Sequence, residues 1–363
     1  MVSTSTSERT IILASRTSQL AQIQTNIVLD ILRSKNPTKS FSTLFMTTGG
    51  DHNQSQALYL LGGKSLWTKE LEWALLSNEA EGEGKKVDML IHSFKDVPTV
   101  LPPGCEIAGV LEREDPVDSL VVRKDLVETK GWKTLEDLED GSVVGTSSVR
   151  RVAQLKRAFP KLKFLDVRGN LNTRISKLDA PSSPYTALIL AKAGLLRLGW
   201  KSRITSDIHP PTLYHAVSQG ALAIEIRSND SEVKNLCRSI TDRKTEWRCY
   251  AERGLLRVLE GGCSVPVGVF TELIPQSTGE GEGGGEKEVL VITGCVTSLD
   301  GQSHVEHTLK EPVGSVEEAE AVGEKLAKIL IETGAKKILD DINVDREKRV
   351  EEAKVKDEKV AQA

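Results

Sequence analysis

An acid follows a base directly at Lys95–Asp96, inside IHSFKDVPTVLPPG (91–104). The apolar run VDMLI leads into the pair, and prolines and a glycine break the chain soon after. One reading is a solvated turn capped by Asp96, a common use of aspartate. The other is a functional pair, because open α/β sheets carry their working side chains just past the carboxyl ends of strands. Position alone does not choose between them.

A second candidate is GTSSVRR (145–151), where Thr146, Ser147 and Ser148 sit between a strand and a helix and Arg150 and Arg151 follow at once. Free N–H groups at a helix start favour anions, and hydroxyls add donors. VRGNLNTR (167–174) again sets arginines, Arg168 and Arg174, around a Gly–Asn turn after a strand. Arg16, with Ser18 beside it, ends the first strand in the same way. An isolated cluster of this kind is an ordinary cap with solvated arginines. Two in one region, offering forked donors, suit carboxylates or phosphates. From Gly145 to Lys177 there are nine basic residues and one acid, Asp166, in a chain of net charge −4. That contrast points to a local polyanion site in a protein whose bulk charge does not favour DNA or anionic membranes.

LGGKS (61–65) invites a phosphate-loop reading, but the pattern needs glycine at position 58 and Leu58 stands there. A loop carrying Lys64 as a cover over a site fits better. In LEGGCSVPVG (259–268), Cys263 lies between a Gly–Gly turn and a strand start, which leaves its sulfur less covered. An exposed thiol is a nucleophile or an attachment point. Cys105, Cys237, Cys249 and Cys295 read as small buried hydrophobes. No C-x-x-C pair is present, which argues against a zinc ribbon or disulfide scaffold and for a reducing compartment. His304 and His307 form the one close histidine pair; without a nearby thiol or carboxylate set they read as part of a polar strand, and no metal is expected.

These residues need elements to hold them. The 363 residues allow two or three domains, and 39% hydrophobic with 28% charged residues is ordinary for a globular protein. No apolar run approaches the length of about 18 residues that a membrane span needs, and MVSTSTSERT lacks the apolar core of a signal peptide. Strands are expected at 10–16, 41–47 and 86–93, and helices at 20–35 and 69–80. A second α/β series follows: SLVVR, helix WKTLEDL, GSVVGT, helix SVRRVAQLKRAF, KFLDVR, a helix over 171–178 and YTALILA. Such alternation argues for α/β sheets with largely parallel pairing. LYHAVSQGALAIEIR (213–227) reads as helix then strand, returning to the first sheet. A last region holds helix EWRCYAERGLLRVLE and strands VPVGVFTEL and EVLVITGCVTS, with a low-complexity hairpin tip at 277–288. The charged tail from Asp345 reads as a frayed helix or disorder.

HSFKDVPT, GTSSVRR, RGNLNTR, QGALAIE and LEGGCSVPV, in that order, resemble the signatures of the porphobilinogen deaminase (hydroxymethylbilane synthase) family of tetrapyrrole and haem biosynthesis. The resemblance covers the chain from about Ile11 to Val269. It implies two domains like those of type II periplasmic binding proteins around a cleft, plus a smaller α+β C-terminal domain. The expected limits are 8–116 with a return segment 215–240, 117–214, and 241–341, followed by the tail 342–363. It implies a dipyrromethane cofactor joined through a thioether to Cys263, on which four porphobilinogen molecules are deaminated and condensed before hydrolytic release. Asp96 matches the catalytic carboxylate, and Arg16, Ser18, Lys95, Ser147, Arg150, Arg151, Arg168, Arg174, Arg197 and Gln219 match contact positions. The implied protein is a cytoplasmic monomer acting on a small molecule, with no nucleic-acid or membrane partner. Phe94 stands where Met or Leu is common, and Trp67 where Phe is usual. A solute-binding protein would share the arginines but would not need Asp96 or Cys263. An RNA-binding protein would want more stacking aromatics than Phe159 and Phe164.

Overall fold

The apolar stretch TIILASR becomes strand β1 (Ile11–Arg16), its first five residues buried. Helix α1 (Gln19–Lys35) starts where the Ser18 hydroxyl accepts the Ala21 N–H, and it buries Ala21, Gln24, Thr25, Val28, Leu29 and Leu32 on one face. Each large apolar side chain on that stripe contributes about 1.5–3 kcal/mol relative to exposure. The computed structural model describes residues 9–49, 67–77, 86–259, 265–275, 288–345 and 347–348. Lys64, Cys263, nearly all of the expected cover loop, the hairpin tip before Glu288 and most of the tail lie outside the described residues.

The elements continue with β2 (Phe41–Met46), α2 (Lys69–Leu76), β3 (Met89–Ser93), β4 (Cys105–Val110), β5 (Asp118–Val122), α3 (Lys124–Lys130), β6 (Val143–Gly145), α4 (Val149–Ala158) and β7 (Lys163–Leu165). Then come α5 (Leu171–Asp179), β8 (Ala187–Ala191), α6 (Lys192–Arg197), β9 (Ser206–Ile208), β10 (Leu222–Arg227), α7 (Ser231–Ser239) and α8 (Arg243–Val258). Strands β11 (Val267–Pro275), β12 (Glu288–Thr297) and β13 (His304–Val313) and helix α9 (Val316–Leu330) follow.

The described residues form two compact units: one holds 9–49, 67–77 and 86–114 with the return segment Gly220–Glu246, the other Asp115–Gln219 and the described residues from Trp247 on. In the first, the sheet order is β2-β1-β3-β10-β4. β1 pairs in parallel with β2 and β3, while β10 runs antiparallel between β3 and β4. Its core gathers Leu13, Val28, Leu32, Met89, Ile91, Ile224 and Ile226 on one face, and Ala14, Leu71, Leu75 and Leu90 on the other.

The second unit has a sheet of the same plan, β7-β6-β8-β5-β9, again three parallel strands with an antiparallel one in fourth place. It also holds the antiparallel sheet β11-β12-β13, packed on α8 and α9. Two α/β sheets of matching order and a smaller α+β layer are the architecture that the resemblance implies. β11 and β12 pair antiparallel across the expected hairpin, and His304 and His307 both lie on β13, three residues apart and so on opposite faces.

Three expectations need correction. WKTLEDL is not helical; the helix is the preceding α3, ended by Gly131 at φ 70°. The Asp137 carboxylate accepts the N–H groups of Lys133 and Thr134, both at 2.8 Å, and so stabilises a turn against a helix. LYHAVSQ is not helical either. Gln154 accepts the Tyr214 N–H (2.8 Å) and Glu252 accepts the Ser218 N–H (2.6 Å), and Ser218 and Gly220 have φ of 59° and 90°. Pairing is also less parallel than expected, because β5 and β10 each run against both of their neighbours.

Candidate active site

In the first unit, the neighbouring parallel strands β1 and β3 end side by side. At the end of β1 the Arg16 guanidinium lies 4.1 Å from the centre of the Trp67 ring, a cation–π contact. Ser18 caps α1 two residues later. β3 runs into a single 3-10 turn, Phe94–Asp96. Phe94 is fully buried, its N–H donates to Ala221 O at 3.0 Å, and the Val97 N–H closes the turn on Phe94 O at 3.2 Å. Buried Gln24 of α1 exchanges hydrogen bonds of 2.9 and 3.1 Å with the Ser93 hydroxyl. The turn is thus fixed from α1, from the segment entering β10 and from within, and it leaves Lys95 and Asp96 half-buried at the carboxyl end of the sheet's middle strand. Behind it, His92 Nε2 lies 3.0 Å from Glu225 Oε2, both groups buried. Burial pushes the nearby Glu72 carboxyl up from its ordinary value, against a hydrogen bond with Thr68 that lowers it.

In the second unit, β6 and β7 are parallel neighbours in register, Gly145 opposite Leu165. Their carboxyl ends carry GTSSVRR and VRGNLNTR. The structure ties these two segments together: the Ser147 hydroxyl donates to Val167 O (2.6 Å) and accepts the Val167 N–H (3.2 Å). Ser148 is the N-cap of α4, its hydroxyl accepting the Arg151 N–H at 3.5 Å. Arg168, half-buried, meets Asp166 at 3.1 Å, and Arg174 Nε donates to Gly169 O at 2.7 Å. Lys177 Nζ donates to Arg168 O at 3.0 Å, adding a cation to the same turn. Arg197 ends α6, which follows β8, the other parallel neighbour of β6.

Arg150, Arg151 and Gln219 are buried, and all three converge on Asp118 at the start of β5. Arg150 Nη2 lies 2.7 Å from Oδ2, Arg151 Nη2 2.7 Å and Nε 3.1 Å from Oδ1, and Gln219 Nε2 2.9 Å from Oδ1. Arg150 Nη1 also donates to Tyr214 O (2.5 Å), and Arg151 Nη1 to Ile189 O (2.8 Å). Burial alone would raise the Asp118 carboxyl, but the Arg150 and Arg151 charges, with hydrogen bonds from Arg151 and Gln219, hold it well below the ordinary value. Burial pushes Arg150 down from its ordinary value, and the Asp118 charge offsets part of that. A count of charges from 145 to 177 could not find Asp118. Its signal was an acid opening an otherwise apolar strand. Gln154, which fixes Tyr214, was missed for the same reason.

Among the described cysteines, Cys237, Cys249 and Cys295 are buried and Cys105 is half-buried. Burial pushes the thiols of Cys105, Cys237 and Cys295 up to about 12, so they are poor nucleophiles at neutral pH.

Comparison with known proteins identifies the family. Residues 11–235 match the family model "Porphobilinogen deaminase, dipyromethane cofactor binding domain", and residues 247–332 match "Porphobilinogen deaminase, C-terminal domain". The chain is 45% identical over 338 residues to the porphobilinogen deaminase of Saccharomyces cerevisiae, covering 93% of this chain and 98% of that one. It is 46% identical to that of Yarrowia lipolytica over 330 residues, covering 91% and 92%. The Nostoc sp. protein is 44% identical over 338 residues, covering 93% and 96%. With both domain models matched in order along one chain, and near-complete coverage of these relatives, the chain belongs to the porphobilinogen deaminase family.

Proposed function

We propose that the chain is a hydroxymethylbilane synthase: it deaminates porphobilinogen and joins four such units head to tail on a dipyrromethane primer, then releases the product by hydrolysis. The observation that carries this reading is the joining of GTSSVRR and VRGNLNTR, through Ser147 and Val167, at neighbouring strand ends, so that one segment brings the buried pair Arg150 and Arg151 and the other the half-buried Arg168 and Arg174, in a chain of this family. Porphobilinogen bears acetate and propionate groups, so a growing chain of such pyrroles is a polycarboxylate and needs cationic contacts. Arg168 and Arg174, with Arg197 at the end of α6, would hold those carboxylates by charge-assisted hydrogen bonds, and Arg16, Ser18 and Lys95 would be further carboxylate contacts.

The donor set fits dipyrromethane, which is itself a polycarboxylate. When bound, that group supplies a pyrrole carbon that attacks the incoming unit. Loss of ammonia from porphobilinogen leaves a cationic azafulvene. Asp96, held by its turn at the end of β3, would accept pyrrole N–H groups and offset that cation, and it would carry protons as ammonia leaves. Lys95 would hold a carboxylate beside it. Cys263 would be the attachment thiol; the high values of Cys105, Cys237 and Cys295 favour no rival among them. The scattered cysteines suit a reducing compartment, in keeping with a cytoplasmic enzyme.

Intact mass tests the reading. The purified protein should exceed its polypeptide mass by two pyrrole units, and brief exposure to porphobilinogen should add up to four more. Cys263→Ser should be folded, inactive and at the bare polypeptide mass. An active Cys263→Ser protein, or a mass ladder that moved with another cysteine, would overturn it.

A further inference from the structure

Arg150 and Arg151 set two guanidiniums against one carboxylate, so one net positive charge remains in a buried place. No second carboxylate bonds to either arginine among the described residues. Each guanidinium has five N–H donors. The hydrogen bonds above use two from Arg150 and three from Arg151, which leaves half of the pair's donors for something else. The free rotation that makes long arginine side chains poor at fixed recognition is removed here, because Asp118 clamps both forks and Tyr214 O and Ile189 O fix their other ends. Gln219 in turn braces Asp118, and donates to Pro116 O at 2.7 Å as well.

We propose that Asp118 is a positioning residue for carboxylate recognition: it holds Arg150 and Arg151 in one fixed pair with a single surplus charge and spare donors for a pyrrole carboxylate. This rests on the synthase reading for the identity of the ligand, but the clamp is a property of this chain's own residues. Asp118 touches no substrate in this scheme; it acts through the arginines. Without its charge the two buried guanidiniums repel one another and lose their common anchor.

Two variants separate this role from a purely structural one. Asp118→Asn keeps the shape and removes the charge; Asp118→Ala leaves room for formate, which restores a carboxylate. Asp88→Ala serves as the control, since Asp88 is also buried and paired, with Arg227 at 2.8 Å in the first unit, and bonds to neither Arg150 nor Arg151. The readouts are urea stability, pyrrole loading by intact mass, and kcat and KM for porphobilinogen. Both Asp118 variants should load poorly, with KM raised roughly 10- to 100-fold, the loss of one charge-assisted contact. Formate should restore the loading and KM of Asp118→Ala in a saturable way. Asp88→Ala should lose stability while KM stays as in the wild type, with or without formate. Asp118 variants that lose stability yet keep wild-type loading and KM would reduce Asp118 to a brace and overturn the proposal. So would formate that stabilises Asp118→Ala without changing its KM. Failure of the synthase reading itself shows earlier and separately, as an unmodified protein with no pyrrole mass and no turnover.

Discussion

Replacing Gly220 by alanine gives a perturbation whose size follows from the coordinates of the first unit. Gly220 sits at φ +90°, and a Cβ there would lie 2.2 Å from the carbonyl oxygen of Glu114. A side chain in the left-handed region costs about 1–2 kcal/mol. The clash is with backbone, so the segment between β4 and β5 must move, at a typical overpacking cost of about 1–3 kcal/mol. That movement strains the Glu114 N–H to Gly220 O hydrogen bond of 3.3 Å, worth about 0.5–1.5 kcal/mol. Gly220→Ala should therefore lose about 2–6 kcal/mol in equilibrium urea unfolding, a large part of the roughly 5–15 kcal/mol available to a folded protein. Gly131→Ala is the matched comparison, with φ +70° and no atom within 4 Å of the added Cβ. It should lose only the backbone cost of about 1–2 kcal/mol. Ala221, the next residue, accepts the Phe94 N–H, so the Asp96 turn should loosen and kcat should fall in Gly220→Ala alone. If the two variants unfold within about 0.5 kcal/mol of each other, the steric argument is wrong.

Asp96→Asn keeps the size and one acceptor of a half-buried side chain just past the end of β3, so it should fold and load cofactor normally while kcat drops by roughly 10²–10³-fold; near-normal turnover in a loaded variant removes Asp96 from the mechanism. The Asp118 carboxyl sits far below its ordinary value of 3.8, so its contribution to stability is complete above that pH and drains away as the pH falls further. The stability gap between wild type and Asp118→Asn should be level from about pH 5 to 7 and narrow below about pH 4. A gap that widens on acidification contradicts the pairing.

Much of this was legible in the chain itself. Strand β1, helix α1 and the turn carrying Lys95 and Asp96 follow from local apolar spacing and from the prolines after the pair. The same holds for Ser148, whose place between an apolar run and VRRVAQLKRA marks a helix start. The failures have two causes, one local and one tertiary. In WKTLEDL, Leu135 and Leu138 have helical spacing, but the Asp137 carboxylate folds back on the N–H groups of Lys133 and Thr134 and closes a local turn instead. In LYHAVSQ, the competing acceptors Gln154 and Glu252 come from distant parts of the sequence. Arg150 and Arg151 read as surface donors because their partner lies 32 and 33 positions away, at the start of β5. Buried polar networks of this kind depend on tertiary register, which no local window contains.

Strand β10 has a consequence for how the chain is made. The sheet of the first unit needs β10 between β3 and β4, yet β4 ends at Val110 and β10 begins at Leu222. On a ribosome adding about 5–20 residues each second, the facing edges of β3 and β4 emerge on the order of 10 s before the strand that joins them. During that interval each offers a row of unpaired N–H and C=O groups to any extended segment nearby. The nascent first unit is therefore an incomplete sheet that waits for its fifth strand, and the interval in which it is open to wrong partners is set by the length of the second unit's insertion.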